Sequence, residues 1–271
     1  VVAHAYSMAG TYSASLTVTT GYGCTANVVR TVTVNPLPDT ISGNRTVCIG
    51  FATTLTNATP GGVWSGSAPG IATLGPMGIV TGVGAGTIVV TYTLPTGCLV
   101  SAVVTVYALP GTVTGPGFVC ENATVAWACG SPGGVWSSSD LFVATVGSGS
   151  GIITGHNAGT ASITYSLASG CITVRTVTVM LSPLPITGSS SVCVNSTTTF
   201  VETLTGGVWS SSSPSVAVVG SAGDVTGISS GTAAISYTSA AGCSATKVVT
   251  VSGAIGAITG TTTLCTGTTS L

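Results

Sequence analysis

Nine cysteines are the residues of this 271-residue chain with the clearest potential for chemistry. Eight follow a periodic framework: Val-Cys pairs at Cys48, Cys120 and Cys193 alternate with Gly-Cys pairs at Cys98, Cys171 and Cys243, and Cys24 and Cys265 extend the pattern at its two ends. Regular cysteines in small repeats are typical of disulfides formed outside the cytosol. A metal site is disfavoured because no C-x-x-C pair occurs and only His4 and His156 could assist. Cys129 stands outside the framework, which leaves a buried thiol beside Trp127 or an intermolecular link.

Nucleophilic and acid–base chemistry finds little support in the remaining side chains. Serine runs follow two of the tryptophans, at 137–139 and 210–213, but there is no G-x-S-x-G and only two histidines could act as a base. Five scattered acids do not indicate a calcium site or a catalytic pair of carboxylates. We therefore expect no enzyme, no cofactor and no metal in this chain.

Glycans are a more plausible surface modification. Asp39-Thr40-Ile41 resembles the Asp-Ser/Thr-aliphatic O-glycosylation motif of Bacteroidota, which makes Thr40 the candidate site. Four Asn-x-Ser/Thr sequons matter only in a host that makes that modification; they begin at Asn44, Asn57, Asn122 and Asn195.

Composition and periodicity indicate an all-β protein. Only 3% of the residues are charged, against about 25% in an average domain. Apolar residues alternate with Thr, Ser and Gly, as in 87–93, and no run reaches the roughly 18 apolar residues of a membrane span. The net charge of −1 gives no basis for binding nucleic acid or an anionic membrane. A surface this poor in charge is expected to be covered by glycans, neighbouring subunits or a matrix.

One five-residue motif, Gly-Gly-Val-Trp-Ser, occurs three times, at 61–65, 133–137 and 206–210. Each copy follows a cysteine by 13 residues, and a strand with one inward hydrophobic residue lies between them. Those inward residues are Leu55, Trp127 and Phe200. Proline-containing linkers, such as Pro36-Leu37-Pro38, separate the copies.

The third copy carries the closest family resemblance. Its Trp209-Ser210-Ser211-Ser212, then 223–227 (G-D-V-T-G) and 231–237 (G-T-A-A-I-S-Y), resemble the bacterial immunoglobulin-like (group 2) domain, and the resemblance extends over about 37–253. It implies tandem β-sandwiches of about seven strands in an elongated array, with Trp64, Trp136 and Trp209 as core residues rather than a ligand platform.

Residues 1–35 instead resemble the C-terminal half of a PKD (polycystic kidney disease) domain, through His4, Tyr6, Gly10, Tyr12 and the alternation that follows. The combination is similar to the giant modular surface proteins of Bacteroidota, a family that serves adhesion and spacing without catalytic residues. The predicted boundaries are 1–35 for the PKD-like piece, 36–108, 109–182 and 183–253 for three repeats, and 254–271 for the start of a further repeat.

Three disulfide registers fit the cysteine spacing. Within a repeat the pairs are Cys48–Cys98, Cys120–Cys171 and Cys193–Cys243; across a linker they are Cys98–Cys120 and Cys171–Cys193; between successive repeats they are Cys48–Cys171 and Cys120–Cys243. Strands of five to seven residues would hold the two cysteines of one repeat about 20 Å apart, beyond the reach of a disulfide. The between-repeat register is preferred and the within-repeat register stays open; Cys24 and Cys265 then need partners outside these residues.

These patterns predict a non-catalytic structural segment of an extracellular filament or cell-surface adhesin stalk. Its expected partners are neighbouring repeats or further copies, together with glycans. The alternative is a set of spacer or carbohydrate-binding modules from a secreted hydrolase, which an exposed row of aromatic side chains would favour.

Overall fold

Every secondary-structure element that the structure describes is a β-strand. The structure is a computed structural model, and it describes residues 3–253 and residue 266. Cys265 and the predicted start of a further repeat lie outside the described residues. Within the described part, no helix is long and apolar enough to cross a membrane.

Two compact units make up the described chain, and the division between them falls inside the second predicted repeat. One unit comprises Val1–Thr112, Cys129–Val135 and Tyr165–Thr173. The other comprises Val113–Ala128, Trp136–Thr164 and Val174–Leu271.

The first two strands form a hairpin on their own. Strands β1 (Gly10–Thr19) and β2 (Thr25–Val34) make a two-stranded antiparallel sheet. Because side chains alternate between the faces of a strand, one face carries Leu16 opposite Val28 and the other carries mostly Thr and Ser. Leu16 is 62% exposed, whereas Tyr12 at the other end of the same face is half-buried and its ring meets that of Tyr6, so the apolar face is covered only at one end among the described residues.

The first repeat contains eight strands: β3 (Ser42–Gly43), β4 (Thr46–Cys48), β5 (Ala52–Thr56), β6 (Val63–Gly66), β7 (Ala72–Leu74), β8 (Ile79–Gly82), β9 (Gly86–Thr93) and β10 (Leu99–Tyr107). They form two sheets, of order β3-β5-β8-β7 and β4-β10-β9-β6. With the strands lettered A, A′, B, C, D, E, F and G in chain order, the sheets are A-B-E-D and A′-G-F-C. This is the strand order of an immunoglobulin sandwich.

Alternation along the strands builds the core of this repeat. In β9 the side chains of Ile88, Val90 and Tyr92 are buried, while the residues between them face outward. They meet Leu55 and Val80 from the opposite sheet, and Trp64 packs against this cluster. The predicted inward position of Leu55 corresponds to a fully buried side chain.

The second repeat has nine strands: β11 (Val113–Thr114), β12 (Phe118–Cys120), β13 (Thr124–Ala126), β14 (Ala128–Cys129), β15 (Val135–Ser138), β16 (Ala144–Val146), β17 (Ile152–Gly155), β18 (Gly159–Ser166) and β19 (Ile172–Met180). Its sheets include β12-β19-β18-β15 and β13-β17-β16, with β13 and β14 as two parts of strand B. The same lettering therefore applies.

The third repeat has seven strands: β20 (Ser191–Cys193), β21 (Thr197–Thr199), β22 (Val208–Ser211), β23 (Ala217–Val219), β24 (Asp224–Gly227), β25 (Gly231–Thr238) and β26 (Ser244–Ser252). The sheets are β20-β26-β25-β22 and β21-β24-β23. Phe200 and Ile235 are fully buried between them. The predicted all-β fold of tandem immunoglobulin-like sandwiches is confirmed.

Candidate functional site

In each Gly-Gly-Val-Trp motif the valine and the tryptophan begin strand C, and the tryptophan faces inward while the valine faces outward. Trp136 is 7% exposed, and Trp64 and Trp209 are half-buried against the cores of their repeats. Each of these two rings meets a tyrosine of strand F, with centroid distances of 4.8 Å for Trp64–Tyr92 and 5.0 Å for Trp209–Tyr237. Tryptophan side chains in this position do not offer an exposed platform for a sugar.

The strand F tyrosine also forms hydrogen bonds with the backbone of the loop that carries the two glycines. The hydroxyl of Tyr92 donates to the carbonyl oxygen of Thr59 at 2.7 Å and accepts from the amide of Gly62 at 2.9 Å. Tyr165 makes the same pair of bonds with Ser131 and Gly134. The third repeat does so through Tyr237, with Leu204 and Gly207. This contact is not among the sequence-based expectations, although a tyrosine 28 or 29 residues after each tryptophan is a visible signal.

The glycines of the motif have separate reasons. Gly61 has a φ of +86°, a backbone angle that residues other than glycine rarely adopt. The next glycine lies beneath the tyrosine ring: a Cβ on Gly207 would be 2.5 Å from Cζ of Tyr237. The motif therefore makes a tight turn and then leaves space for an aromatic ring.

Two disulfides join cysteines of successive repeats. Cys48 is bonded to Cys171, and Cys120 is bonded to Cys243; in both pairs the partners are 123 residues apart in sequence. Cys48 and Cys120 end strand A′ of their repeats, while Cys171 and Cys243 lie in the turn between strands F and G of the following repeat. Cys171 and Cys243 are each 1% exposed.

The within-repeat register is not present, and strand geometry explains why. Strand A′ runs parallel to strand G, so Cys48 lies opposite Tyr107 at the end of β10, whereas Cys98 precedes the start of that strand. Nine residues of strand separate the two ends by about 30 Å, far more than the roughly 7 Å that a disulfide allows between Cα atoms. The third repeat has the same arrangement, with Cys193 opposite Ser252.

A cleft surrounds the first of these disulfides. It has a volume of about 400 Å³ and is lined by Thr46, Phe51 and Thr53 of the first repeat together with Ser169, Gly170 and Ile172 of the second. The turn that carries Cys171 thus fits against the end of strand A′ as well as bonding to it. We call the residues of 44–53 that line this cleft the Cys48 socket.

Four other cysteines of the described chain are in the thiol form: Cys24, Cys98, Cys129 and Cys193. Cys24 and Cys193 are exposed, and Cys98 lies with its Sγ 3.8 Å from the carbonyl oxygen of Asn35. The thiol of Cys129 is half-buried and is 3.3 Å from the carbonyl oxygen of Gly111. Asn57 and Glu202, at the corresponding positions, also bond the backbone where their repeats begin, at Asp39 and Leu184.

Most of the few charged side chains form hydrogen bonds with backbone groups of their own repeat. Three cations donate to carbonyl oxygens at equivalent positions near the start of each repeat: Arg45 bonds Ile41, Arg175 bonds Val113 and Lys247 bonds Ile186. Arg175 also lies over the ring of Trp127 and Lys247 over that of Phe200. These cations are structural.

Two carboxylates accept hydrogen bonds from the backbone of the proline-containing linker 182–185, which precedes the third repeat. Glu121 accepts from the amides of Ala158 and Ser182, at 2.8 and 3.4 Å. Glu202 accepts from the amides of Leu184 and Leu204, at 3.0 and 3.1 Å. Its second oxygen, Oε2, is buried without a hydrogen-bond partner.

The remaining candidate residues, Thr40, His4 and His156, do not form a common site. Thr40 is exposed, and the neighbouring Asp39 interacts with the hydroxyl of Thr59. His4 and His156 are exposed, with His156 bonded to Thr145. Over the described residues, no group of three or more His, Cys, Asp or Glu is placed to hold a metal ion.

Comparisons with known proteins return solved structures at low sequence identity only. No protein-family model matches the sequence, and no curated protein is significantly similar to it. Among solved structures, the C-terminal fragment of intimin, solved with the intimin-binding domain of its translocated receptor, is 17% identical with a TM-score of 0.40; the match covers 55% of this chain and 67% of that one.

Two further structures are similar over most of this chain. Invasin, a bacterial integrin-binding protein, is 16% identical with a TM-score of 0.35, and the match covers 84% of this chain and 63% of that one. The S-layer protein SbsC is 15% identical with a TM-score of 0.25, over 89% of this chain and 44% of that one. The match thus spans less than half of the S-layer structure.

Proposed function

We propose that the chain is a non-catalytic structural segment of an extracellular filament or cell-surface adhesin stalk. Its repeats would be immunoglobulin-like domains of the bacterial group 2 type, with residues 1–35 as the end of a PKD-like domain, as in giant modular surface proteins of Bacteroidota. The disulfides between successive repeats carry the proposal. A structural segment benefits from covalent bonds between neighbouring domains, because a flexible linker alone would leave those domains free to move.

The same bonds support a location outside the cytosol. Disulfides of this kind persist in oxidising compartments and are rare where thiols are kept reduced. The proposed boundaries, 36–108, 109–182 and 183–253, place each disulfide between one repeat and the next.

The outer face of the A′-G-F-C sheet supports contact with further copies. In the first repeat this face carries Val63, Val89, Leu99 and Val103, all at least 44% exposed, among Thr and Ser. It has no charged side chain, so two such faces would meet without burying a charge. Glycans at Thr40 would be a second means of covering the surface.

Electron microscopy of native material tests the proposal. Gold-labelled antibodies raised against the third repeat should mark filaments or cell-surface projections, and the same antibodies absorbed with the purified chain provide the control. Label confined to the cytoplasm, or to dispersed particles, would reject a structural role at the surface.

A further inference from the structure

The first repeat has an open strand edge. β6 is the last strand in the sheet order β4-β10-β9-β6, so one side of it has no strand neighbour among the described residues. The amide of Ser67, just after β6, donates to the carbonyl oxygen of Val89 on β9 at 3.1 Å. Backbone groups point to alternate sides along a strand, so those of Trp64 and Gly66 point away from β9. An edge with such free amides and carbonyls is a template for pairing with another strand.

In the second repeat, the same edge is closed by its own chain. The amide of Trp136, the counterpart of Trp64, donates to the carbonyl oxygen of Ser148 at 2.8 Å. Ser148 lies in the turn between β16 and β17, which has one residue more than the corresponding turn between β7 and β8. In the described part of the chain, the amide of Trp64 has no such acceptor. The second repeat thus shows which group this edge accepts, a backbone carbonyl oxygen.

Gly66 is a second unusual feature of this edge. Ser138 and Ser211 stand at the corresponding position of the other two repeats, and their hydroxyls donate to carbonyl oxygens of their own repeats. A Cβ on Gly66 would meet Leu74 at 3.8 Å, which is ordinary van der Waals contact, so packing within the first repeat does not require a glycine. A glycine inside a strand often marks a site where another backbone approaches closely.

An open cleft lies beside this glycine. It has a volume of about 320 Å³ and is lined by Trp64, Gly66, Pro69 and Leu74, among others. Between 57 and 75, no residue is Asp, Glu, Lys or Arg, so a strand added here would bury no charge. Such a strand would take the position of strand C′, which variable-type immunoglobulin sandwiches add beside strand C.

We propose that β6 pairs antiparallel with β6 of a second copy of this chain, with Ser65 opposite Ser65 at the centre. This register places Trp64 of each copy opposite Gly66 of the other, and each of these pairs exchanges both of its backbone hydrogen bonds. The glycine leaves space for the tryptophan opposite, and an aromatic side chain across from an edge glycine stabilises strand pairing. The pairing rests on the proposed function, because a filament or stalk would use such a contact between copies.

The size of the edge sets the strength of the pairing. β6 has four residues, and a strand of that length extends over about 13 Å. The contact is therefore smaller than the roughly 800 Å² per partner that is typical of a stable complex. We expect reversible association in dilute solution, and the test traps it covalently.

Ser65→Cys in the full chain tests the register. Residues directly opposite in a pair that is not hydrogen-bonded have Cα atoms about 4.5 Å apart, which suits a disulfide. Equal amounts of ¹⁴N- and ¹⁵N-labelled variant are mixed, oxidised with glutathione disulfide, alkylated and digested. Mass spectrometry then measures the mixed-isotope peptide that joins position 65 of two copies.

Ser137→Cys is the matched control. Ser137 has the same place on β15 and is equally exposed, but the edge of β15 is closed by Ser148. We expect the link at position 65 to form in about tenfold higher yield than the link at position 137, because pairing raises the effective concentration of the matched thiols.

A second measurement needs no new thiol. In the ¹⁵N-labelled chain, hydrogen exchange of the Trp64 amide should slow about fivefold or more between dilute and concentrated solution, because pairing protects it. The Trp136 amide is already bonded within its repeat and should exchange at a constant rate. Ser65→Lys places like charges opposite each other and should remove the concentration dependence.

Equal yields from Ser65→Cys and Ser137→Cys, or a Trp64 amide whose exchange is the same at all concentrations, would overturn the pairing. Position 65 linked mainly to the chain's own free thiols would do the same. If immunogold labels filaments or surface projections while these links do not form, only the strand pairing fails. Label confined to the cytoplasm would reject the proposed function whatever the links show.

Discussion

At the scale of single residues, the strand F tyrosine explains the second glycine of the Gly-Gly-Val-Trp motif. Tyr92 both donates to and accepts from the loop before strand C, and the amide that it accepts from belongs to the glycine beneath its ring. Any side chain on that glycine would displace the ring and break both bonds. A motif that could have been a ligand site is therefore a packing and hydrogen-bonding unit.

Replacing Gly62 by alanine should destabilise the first repeat. The added Cβ would overlap the ring of Tyr92, and forced overlap in a packed core costs about 1–3 kcal/mol. Thermal unfolding followed by circular dichroism should show a lower midpoint for Gly62→Ala. Gly70→Ala is the control, because a Cβ there meets nothing within 4 Å. Equal midpoints for the two variants would contradict this role of Tyr92.

Replacing Glu202 by glutamine should destabilise the protein less than replacing it by alanine. Its Oε1 accepts two backbone amides, whereas Oε2 is buried without a partner, so Glu202→Gln keeps the accepting oxygen and removes a partly buried charge. Glu202→Ala leaves the amides of Leu184 and Leu204 without this acceptor, at a cost of about 1–3 kcal/mol. Chemical denaturation of the two variants measures the difference. Equal losses of stability would show that the charge, rather than the acceptor, matters.

At the scale of elements, cations from different places in the sequence bond the equivalent backbone carbonyl oxygen in the three repeats. The segment that begins each repeat presents a carbonyl oxygen to a cation, and this cation comes from strand G in the second and third repeats, as Arg175 and Lys247. In the first repeat the cation is Arg45, immediately before strand A′. Because the donor changes its place in the sequence, repeat alignment alone does not reveal the shared contact.

The β1–β2 hairpin should exchange its amide hydrogens far faster than the β9–β10 hairpin. Both have the same turn, but β9–β10 is covered by the core of its repeat while β1–β2 has no third strand among the described residues. Two-stranded sheets alone are marginally stable in water. Hydrogen exchange measured by mass spectrometry should show about a hundredfold or greater difference in protection. Equal protection would mean that the apolar face around Leu16 is covered.

Sequence periodicity predicts the strands well and their connections less well. Alternating residues identify β9 and its counterparts, and the inward positions of Leu55 and Phe200 agree with their burial. The partners of Tyr92 were not predicted, because a hydroxyl bond to a loop depends on three-dimensional proximity rather than on period. Spacing alone left three disulfide registers open; the parallel pairing of strands A′ and G is what separates Cys48 from Cys98.

The same limit applies to the first 35 residues. Their sequence predicts the end of a PKD-like domain, whereas the equivalence of their turn to the other Gly-Cys turns is established by the backbone geometry, in which Gly23 and Gly97 share a φ of +84°. The expected cysteine pairs and the assignment of Thr40 as a glycan site remain predictions for the protein in solution. Peptide mapping and intact mass would test them.

At the scale of the whole molecule, the two disulfides form overlapping loops. Cys120 lies between Cys48 and Cys171 in sequence, and Cys171 lies between Cys120 and Cys243. A force applied between Cys48 and Cys243 therefore acts on three connecting segments at once: 48–120, 120–171 and 171–243. The shortest covalent path crosses both bonds and the 120–171 segment, so that segment limits the extension of all three.

Stretching single molecules should therefore give three lengths for the chain between residues 48 and 243. Fully extended residues span up to about 3.6 Å each, which gives about 20 nm with both bonds, about 26 nm with either bond alone and about 70 nm after reduction. Cys48→Ser/Cys171→Ser and Cys120→Ser/Cys243→Ser should give the same intermediate length, since the remaining path has 72 residues in both. Cys129→Ser should match the unmodified chain. Two different intermediate lengths, or no change on removing one pair, would contradict overlapping loops.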